Sequence, residues 1–268
     1  MYIKRNCYLS VDIEEDLTNN LNKKTFKGAE NLSSTLDIFK KHNIKATFFV
    51  TGEVLEKYPH HVKEWSKNHE IACHGYKHIP LYKIPYNERE EQMSEFISLY
   101  ENIFDKKPIG FRAVQHTIDN YQMRILEKFE FKYDSSVIPH YPFFKKGYIG
   151  FKGHAPVTPY FPSKKNYRKQ GEMNILEIPT TGLVLGFPLA GTWLRNFGSG
   201  FYKILIEFYK PKFLAFSLHS WDGIAFKGPH SRNSGKKFLE YLDAIIKLLK
   251  EYYSFETGIM IAREFRNK

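Results

Sequence analysis

Glu70-Ile71-Ala72-Cys73-His74-Gly75-Tyr76-Lys77-His78 is a short apolar strand that gives way directly to two imidazoles four positions apart. Such a pair can close on one metal ion from a single turn of chain. Gly75 disfavours a regular helix between the imidazoles, so the pair reads as a loop leaving the end of a strand. The chain has 11 histidines in 268 residues, so this spacing is a weak signal until a further donor joins it. Asp12-Ile13-Glu14-Glu15-Asp16, which ends an apolar strand near the N-terminus, supplies one. A carboxylate and two histidines that leave a coordination position open form a catalytic ligand set rather than a structural one.

Working outward, strand-like and helix-like segments alternate along the whole chain. Strands are expected at Cys7–Asp12, Ala46–Val50, Glu70–Cys73, Ile109–Phe111, Phe131–Tyr133, Ile175–Pro179 and Phe213–Leu218, with a last one near Gly258–Ala262. Apolar residues at helical spacing predict helices over Ala29–His42, Glu53–Asn68 (interrupted at Pro59), Glu88–Phe104, Asp119–Phe129, Gly200–Tyr209 and Lys236–Tyr252. This alternation implies a parallel sheet, closed or doubly wound. No Gly-x-Gly-x-x-Gly follows the first strand, which disfavours a dinucleotide-binding sheet. Asp12, His74, Arg112, Asp134 and His219 all fall at or just beyond the C-terminal end of an expected strand. In a barrel of parallel strands those ends share the face that carries the active site. The expected fold is therefore an α/β barrel over one domain, 1–268. Residues 139–174 break the rhythm: they are rich in proline and aromatics and carry seven Lys or Arg against Glu172 alone. They read as a loop insertion over the active face.

Composition narrows the classes. The chain is 42% hydrophobic and 26% charged, within the usual range for a globular protein, while 16% aromatics is high enough to line a groove as well as a core. Cys7 and Cys73 alone give no disulfide framework. The N-terminus shows no signal-peptide pattern, which predicts a cytoplasmic protein. The most apolar span, 175–194, is broken by Pro179, Pro188 and three glycines, which argues against a membrane-spanning helix. The net charge of +11 favours anionic partners, including phosphorylated or lipid-linked substrates and the inner membrane face as a peripheral contact. No nucleic-acid-binding signature accompanies it, and none of that class is expected as a partner.

The chemistry follows from residue types. Of the carboxylates in Asp12-x-Glu14, one can bind metal while the other stays free as a general base towards water. Arg112, after an apolar strand, calls for a carboxylate partner, and holding Asp12 would keep that base ionised. His219, ending the seventh strand, suits a general acid that protonates a departing amine. Asp134 is expected to hydrogen-bond His219 and keep it protonated.

Taken in order, Ser10-Val11-Asp12-Ile13-Glu14, His74-Gly75-Tyr76-Lys77-His78, Gly110-Phe111-Arg112-Ala113, Tyr133-Asp134-Ser135-Ser136 and Leu218-His219 resemble the five motifs of the polysaccharide deacetylases. These are the NodB-homology carbohydrate esterases of family 4, and the resemblance runs from about residue 7 to 262. The Asp-x-Glu form and the long insert are most similar to the subgroup found with exopolysaccharide loci. The resemblance implies a distorted (β/α)7 barrel and a divalent metal, zinc first, bound by His74 and His78. It also implies Asp12 as base, Arg112 as its partner, and His219 as an acid tuned by Asp134.

The chain departs from the family pattern at Ile13, where many members have a second, metal-binding aspartate. Glu14 is the expected ligand instead, with Glu15 and Asp16 in reserve. Val114 replaces a usual proline, and the aromatic pair after the fourth motif is absent. The implied activity is hydrolysis of the N-acetyl amide of an amino sugar, in a glycan or a lipid- or phosphate-linked saccharide. The apolar stretch Gly182–Phe187 and the basic insert suit the lipid-linked form. The competing readings are a hydrolase of cyclic ureides or imides, a sugar deformylase, and a carbohydrate-binding homologue that has lost catalysis.

Overall fold

A computed structural model of the protein describes residues 5–16, 24–140, 153–180, 183, 188–228 and 231–266. Its strands are β1 (Arg5–Ile13), β2 (Thr47–Val50), β3 (Glu70–Cys73), β4 (Gly110–Phe111), β5 (Tyr133–Asp134), β6 (Leu176–Glu177), β7 (Phe213–His219) and β8 (Tyr253–Glu256). They join in the order β6-β5-β4-β3-β2-β1-β7, and every ladder is parallel. Strand β1 is the centre. One edge pairs with β7 over Asn6–Asp12; the other pairs with β8 over Arg5–Tyr8 and then with β2 over Ser10–Ile13. Seven consecutive residues of β1 are buried, the mark of a strand covered on both faces. The sheet curls into a partial barrel, and the free edge of β7 receives Ala190 through a single parallel bridge to Ser217.

The helices α1 (Lys27–Glu30), α2 (Ser33–Lys41), α3 (Gly52–Lys57), α4 (Pro59–Ser66), α5 (Tyr86–Phe104), α6 (Asn120–Lys128), α7 (Gly191–Tyr209), α8 (Lys236–Tyr252) and α9 (Gly258–Arg266) complete the alternation. Thr51 caps α3 and Asp119 caps α6, each accepting a hydrogen bond from the backbone N–H three residues on. The expected break at Pro59 separates α3 from α4.

Two expectations need correction. Gly258–Ala262 is not a strand. The strand lies just before it, as β8, and α9 begins at Gly258, where an added Cβ would come 2.3 Å from the Tyr133 ring. Ile261 and Ala262 of α9 instead pack against Tyr8, Phe49, Ala72 and Tyr133. The helix expected at Gly200–Tyr209 starts at Gly191 and passes through a joint at Gly198, whose φ of +79° only glycine adopts readily.

Side-chain alternation decides which face each site residue takes. On β1, Cys7, Leu9, Val11 and Ile13 belong to the large apolar cluster packed with the helices, while Tyr8 belongs to the other cluster, inside the curl of the sheet. Asp12 therefore shares the inner face with Tyr8. Ile13, fully buried on the helix side, is turned away from it.

The described part of the 139–174 insertion lies along the outer sheet edge. Tyr160 pairs antiparallel with Glu177, and Arg168 donates to the carbonyls of Ile138, Pro139 and Gly153. Residues 141–152 of the insertion expected over the active face lie outside the described residues. Of the apolar stretch Gly182–Phe187, only Leu183 is described, and it is buried. No helix among the described residues is long and apolar enough to cross a membrane.

Candidate active site

At the C-terminal mouth of the sheet, β1 and β3 bring the first three donors together. Glu14 Oε2 lies 3.1 Å from His74 Nε2 and 2.8 Å from His78 Nε2. Among the described residues these three form a group whose ligand atoms all lie within 4.8 Å of one another. Their surroundings also suit a metal. His74 Nδ1 donates to the Arg112 carbonyl at 2.9 Å, which leaves Nε2 as the lone-pair nitrogen on the Glu14 side. His78 Nδ1 faces Glu15 Oε1 at 3.5 Å, and Lys24 lies 3.3 Å from the other Glu15 oxygen. Metal-ligating histidines characteristically give their second nitrogen to a carbonyl or carboxylate in this way. Burial alone would raise the Glu14 carboxyl, but the two histidines outweigh it and hold it well below the usual range. Burial likewise works against charge on His78, and Glu14 overrides it, raising the imidazole to about 10. The set is two nitrogens converging on one carboxylate oxygen, a donor combination that fits a zinc-like ion.

Of the two carboxylates held in reserve, Glu15 backs His78. Asp16 is engaged elsewhere: it accepts from Thr25 Oγ1 at 2.6 Å and from the backbone N–H groups of Lys27 and Gly28, so it anchors α1. That helix sits close. A Cβ on Gly28 would lie 2.5 Å from the Trp221 backbone nitrogen. Trp221 in turn directs its indole N–H towards Glu14 Oε1 at 3.4 Å.

Asp12 stands beside the donor set, with Oδ2 3.9 Å from His74 Nε2. Its Oδ1 accepts from Arg112 Nη1 at 2.7 Å. Arg112 is fully buried, donates to the Ser135 carbonyl and hydroxyl at 2.9 Å each, and lies 4.2 Å from the Phe49 ring centroid. Burial pushes the Asp12 carboxyl up; Arg112, His74 and His219 together overcome it, and the net shift is downward. The expected Asp12–Arg112 pair is present.

His219 ends β7 directly across the ladder from Asp12. Its ring stacks on Trp221 with centroids 4.5 Å apart. Burial disfavours its charge, but Asp222, Glu14 and Asp12 prevail and raise its pKa.

The expected partnership with Asp134 is not found. Asp134 accepts from the Ser136 hydroxyl at 2.6 Å and from the Ser136 backbone N–H. Its register partner on β6 is Glu177. Burial raises both carboxyls, Glu177 well above the ordinary range. The carboxylate nearest the His219 ring is Asp222, with Oδ2 3.6 Å from Nδ1. Sequence reasoning passed over Asp222, although its place three residues after His219 offered a signal. Arg195, its buried partner, offered none. Also unforeseen were consecutive left-handed residues after Arg112, Gln115 (φ +52°) and His116 (φ +57°); His116 Nδ1 donates to the Ser136 carbonyl at 3.1 Å.

Residues 11–133 match the family model described as polysaccharide deacetylase. The chain is similar, at 31% identity over 118 residues, to a Gibberella zeae protein described as a peptidoglycan deacetylase-like protein. The match covers 43% of this chain and 35% of that one, and the chain spans well under half the length of the curated relatives it matches. Among solved structures, a Mycobacterium smegmatis chain described as a polysaccharide deacetylase superposes with a TM-score of 0.68 at 17% identity, covering 98% of this chain and 91% of that one. An allantoinase, Puue, superposes with a TM-score of 0.70 at 17% identity, covering 98% and 90%. At these identities the superpositions establish the fold alone.

Proposed function

We propose that the chain, whose residues 11–133 match the polysaccharide deacetylase family model, hydrolyses the N-acetyl amide of an amino sugar, with a divalent metal held by Glu14, His74 and His78. The observation that carries this reading is the convergence of those three donors next to an arginine-held aspartate, with a histidine across the strand pair. A bound divalent ion supplies Lewis-acid polarisation of the amide carbonyl and lowers the pKa of water. Asp12, kept ionised by Arg112, takes the proton of the attacking water. As the C–N bond breaks, its electron pair stays on nitrogen and takes the Nε2 proton of His219. The ring is left neutral, and a proton from solvent recharges it after the amine departs. Neither proton step requires a large movement, because Asp12 and His219 are already register partners on adjacent strands.

The substrate is an N-acetylated saccharide, in line with the peptidoglycan deacetylase-like relative. The net charge of +11 favours a chain or carrier bearing phosphate. The test is a release panel on zinc-loaded protein: N-acetyl and N-formyl sugar oligomers, with and without a lipid-phosphate carrier, plus allantoin. Acetate release that disappears in His78→Ala supports the reading. Turnover of allantoin alone, or full activity in His78→Ala, would overturn it.

A further inference from the structure

The ring of His219 lies against a charge pair that the mechanism has not used. Asp222 is fully buried. Its Oδ1 accepts from Arg195 Nε at 2.9 Å, and its Oδ2 accepts from the His219 backbone N–H at 2.8 Å. Arg195 is itself only 1% exposed, with its guanidinium 5.2 Å from the Trp221 ring and 5.3 Å from that of Phe226. The fit is close enough to dictate sequence on α7: a Cβ on Gly191 would fall 1.8 Å from Asp222 Oδ2. The His219 side chain and Asp222 form a reciprocal capping box, the His219 side chain towards the Asp222 backbone N–H and the Asp222 side chain towards the His219 backbone N–H, and Asp222 Oδ2 lies 3.6 Å from His219 Nδ1. That separation is just beyond hydrogen-bond range. With Nδ1 on the Asp222 side, Nε2 lies on the opposite side of the ring, and Asp12 is the register partner of His219 on β1.

We propose that Asp222, fixed by Arg195, is the positioning group that aims His219 Nε2 at the leaving amine, in the place the sequence reading gave to Asp134. The proposal rests on the amide-hydrolase reading above. It assigns α7 a part in the chemistry, since Gly191 and Arg195 come from that helix rather than from a strand end. Two carboxylates thereby divide the work: Asp222 serves His219, while Asp134 with Glu177 braces the strand ends around Ser136 and Val137.

The test compares two leaving groups in Asp222→Asn, Arg195→Met and Arg195→Lys. An N-acetyl sugar amide needs its amine protonated, whereas 4-nitrophenyl acetate expels a phenolate that needs no acid. Asp222→Asn is expected to lower kcat on the amide by about 100-fold with KM nearly unchanged, while ester turnover stays within about threefold. Arg195→Met should follow it in part and Arg195→Lys should restore most of the loss. Equal losses on both substrates, or none on the amide, would overturn the proposal. Imidazole nitrogen NMR provides a readout without turnover: the His219 ring signals should shift in Asp222→Asn and be unaltered in Asp134→Asn. The reverse pattern would return the role to Asp134. If the wild-type protein turns over the ester alone, the amide-hydrolase reading has failed, and the ring spectra still decide whether Asp222 holds His219.

Discussion

Single side chains in this site are separable because neighbouring acids hold different partners. Glu15 touches His78, whereas Asp16 holds Thr25 and the start of α1. Glu15→Gln should therefore weaken zinc binding by about tenfold or more in a chelator competition, as expected for loss of a group behind a ligand. Asp16→Asn should leave zinc affinity unchanged and lower stability by about 1 kcal/mol, the usual worth of a capping carboxylate. The reverse ranking would mean that the carboxylate assignment is wrong. Arg112 makes three hydrogen bonds from full burial, so Arg112→Met leaves Asp12 a buried and unpaired charge. A loss of about 3 kcal/mol or more in urea unfolding is expected.

The Asp134–Glu177 pair gives a pH dependence whose sign is fixed by burial. The folded-state pKa of Glu177 is raised above its ordinary 4.5, so its contribution to stability is present below that value and is lost as pH rises towards the folded value. Glu177→Gln, which keeps the acceptor for the Val137 N–H, should thus gain on wild type as pH rises above the ordinary carboxylate range. A gap between the two proteins that stays constant with pH would contradict this.

At the scale of elements, the site depends on close approaches that only small residues permit. Helix α1 touches the backbone at Ser220 and Trp221 through Gly28. Gly28→Ala must push the two apart, at a cost of about 1–3 kcal/mol and with weaker zinc binding, because Trp221 faces Glu14. Thermal melts with and without zinc would measure both. Most elements could be read from the sequence because the apolar period survives in each: Met93, Phe96, Ile97 and Tyr100 recur at helical spacing along α5 and are all buried. The failures are local conflicts. Ile259, Ile261 and Ala262 suit a strand by composition, yet Glu70 and Thr47 accept the backbone N–H groups of Ile259 and Gly258 and hold the start of α9 against the sheet. That outcome depends on residues 189 and 211 positions away.

For the molecule as a whole, metal binding should appear as stability. Zinc at about 100 times its dissociation constant adds about 2.7 kcal/mol to the folded state. At roughly 2–4 °C per kcal/mol for a chain of this size, Tm should rise by about 5–10 °C and return with chelator. His78→Ala should show almost none of the rise; an equal rise in that variant would place the ion elsewhere. The sequence by itself determined the parallel α/β architecture, the placing of Asp12, His74, Arg112, Asp134 and His219 at strand ends, and the pairing of Arg112 with Asp12. All of these follow from local period and residue type, and strand parity carries them to one face. Only the tertiary structure decided that Glu14 rather than Asp16 joins the histidines, that Glu15 stands behind His78, and that Asp222 with Arg195 meets His219 while Asp134 turns to Glu177. Those choices are made between buried charges on elements far apart in sequence. Each charge settles on whichever opposite charge or hydrogen-bond donor the packing leaves within about 3 Å, and no local pattern records that distance.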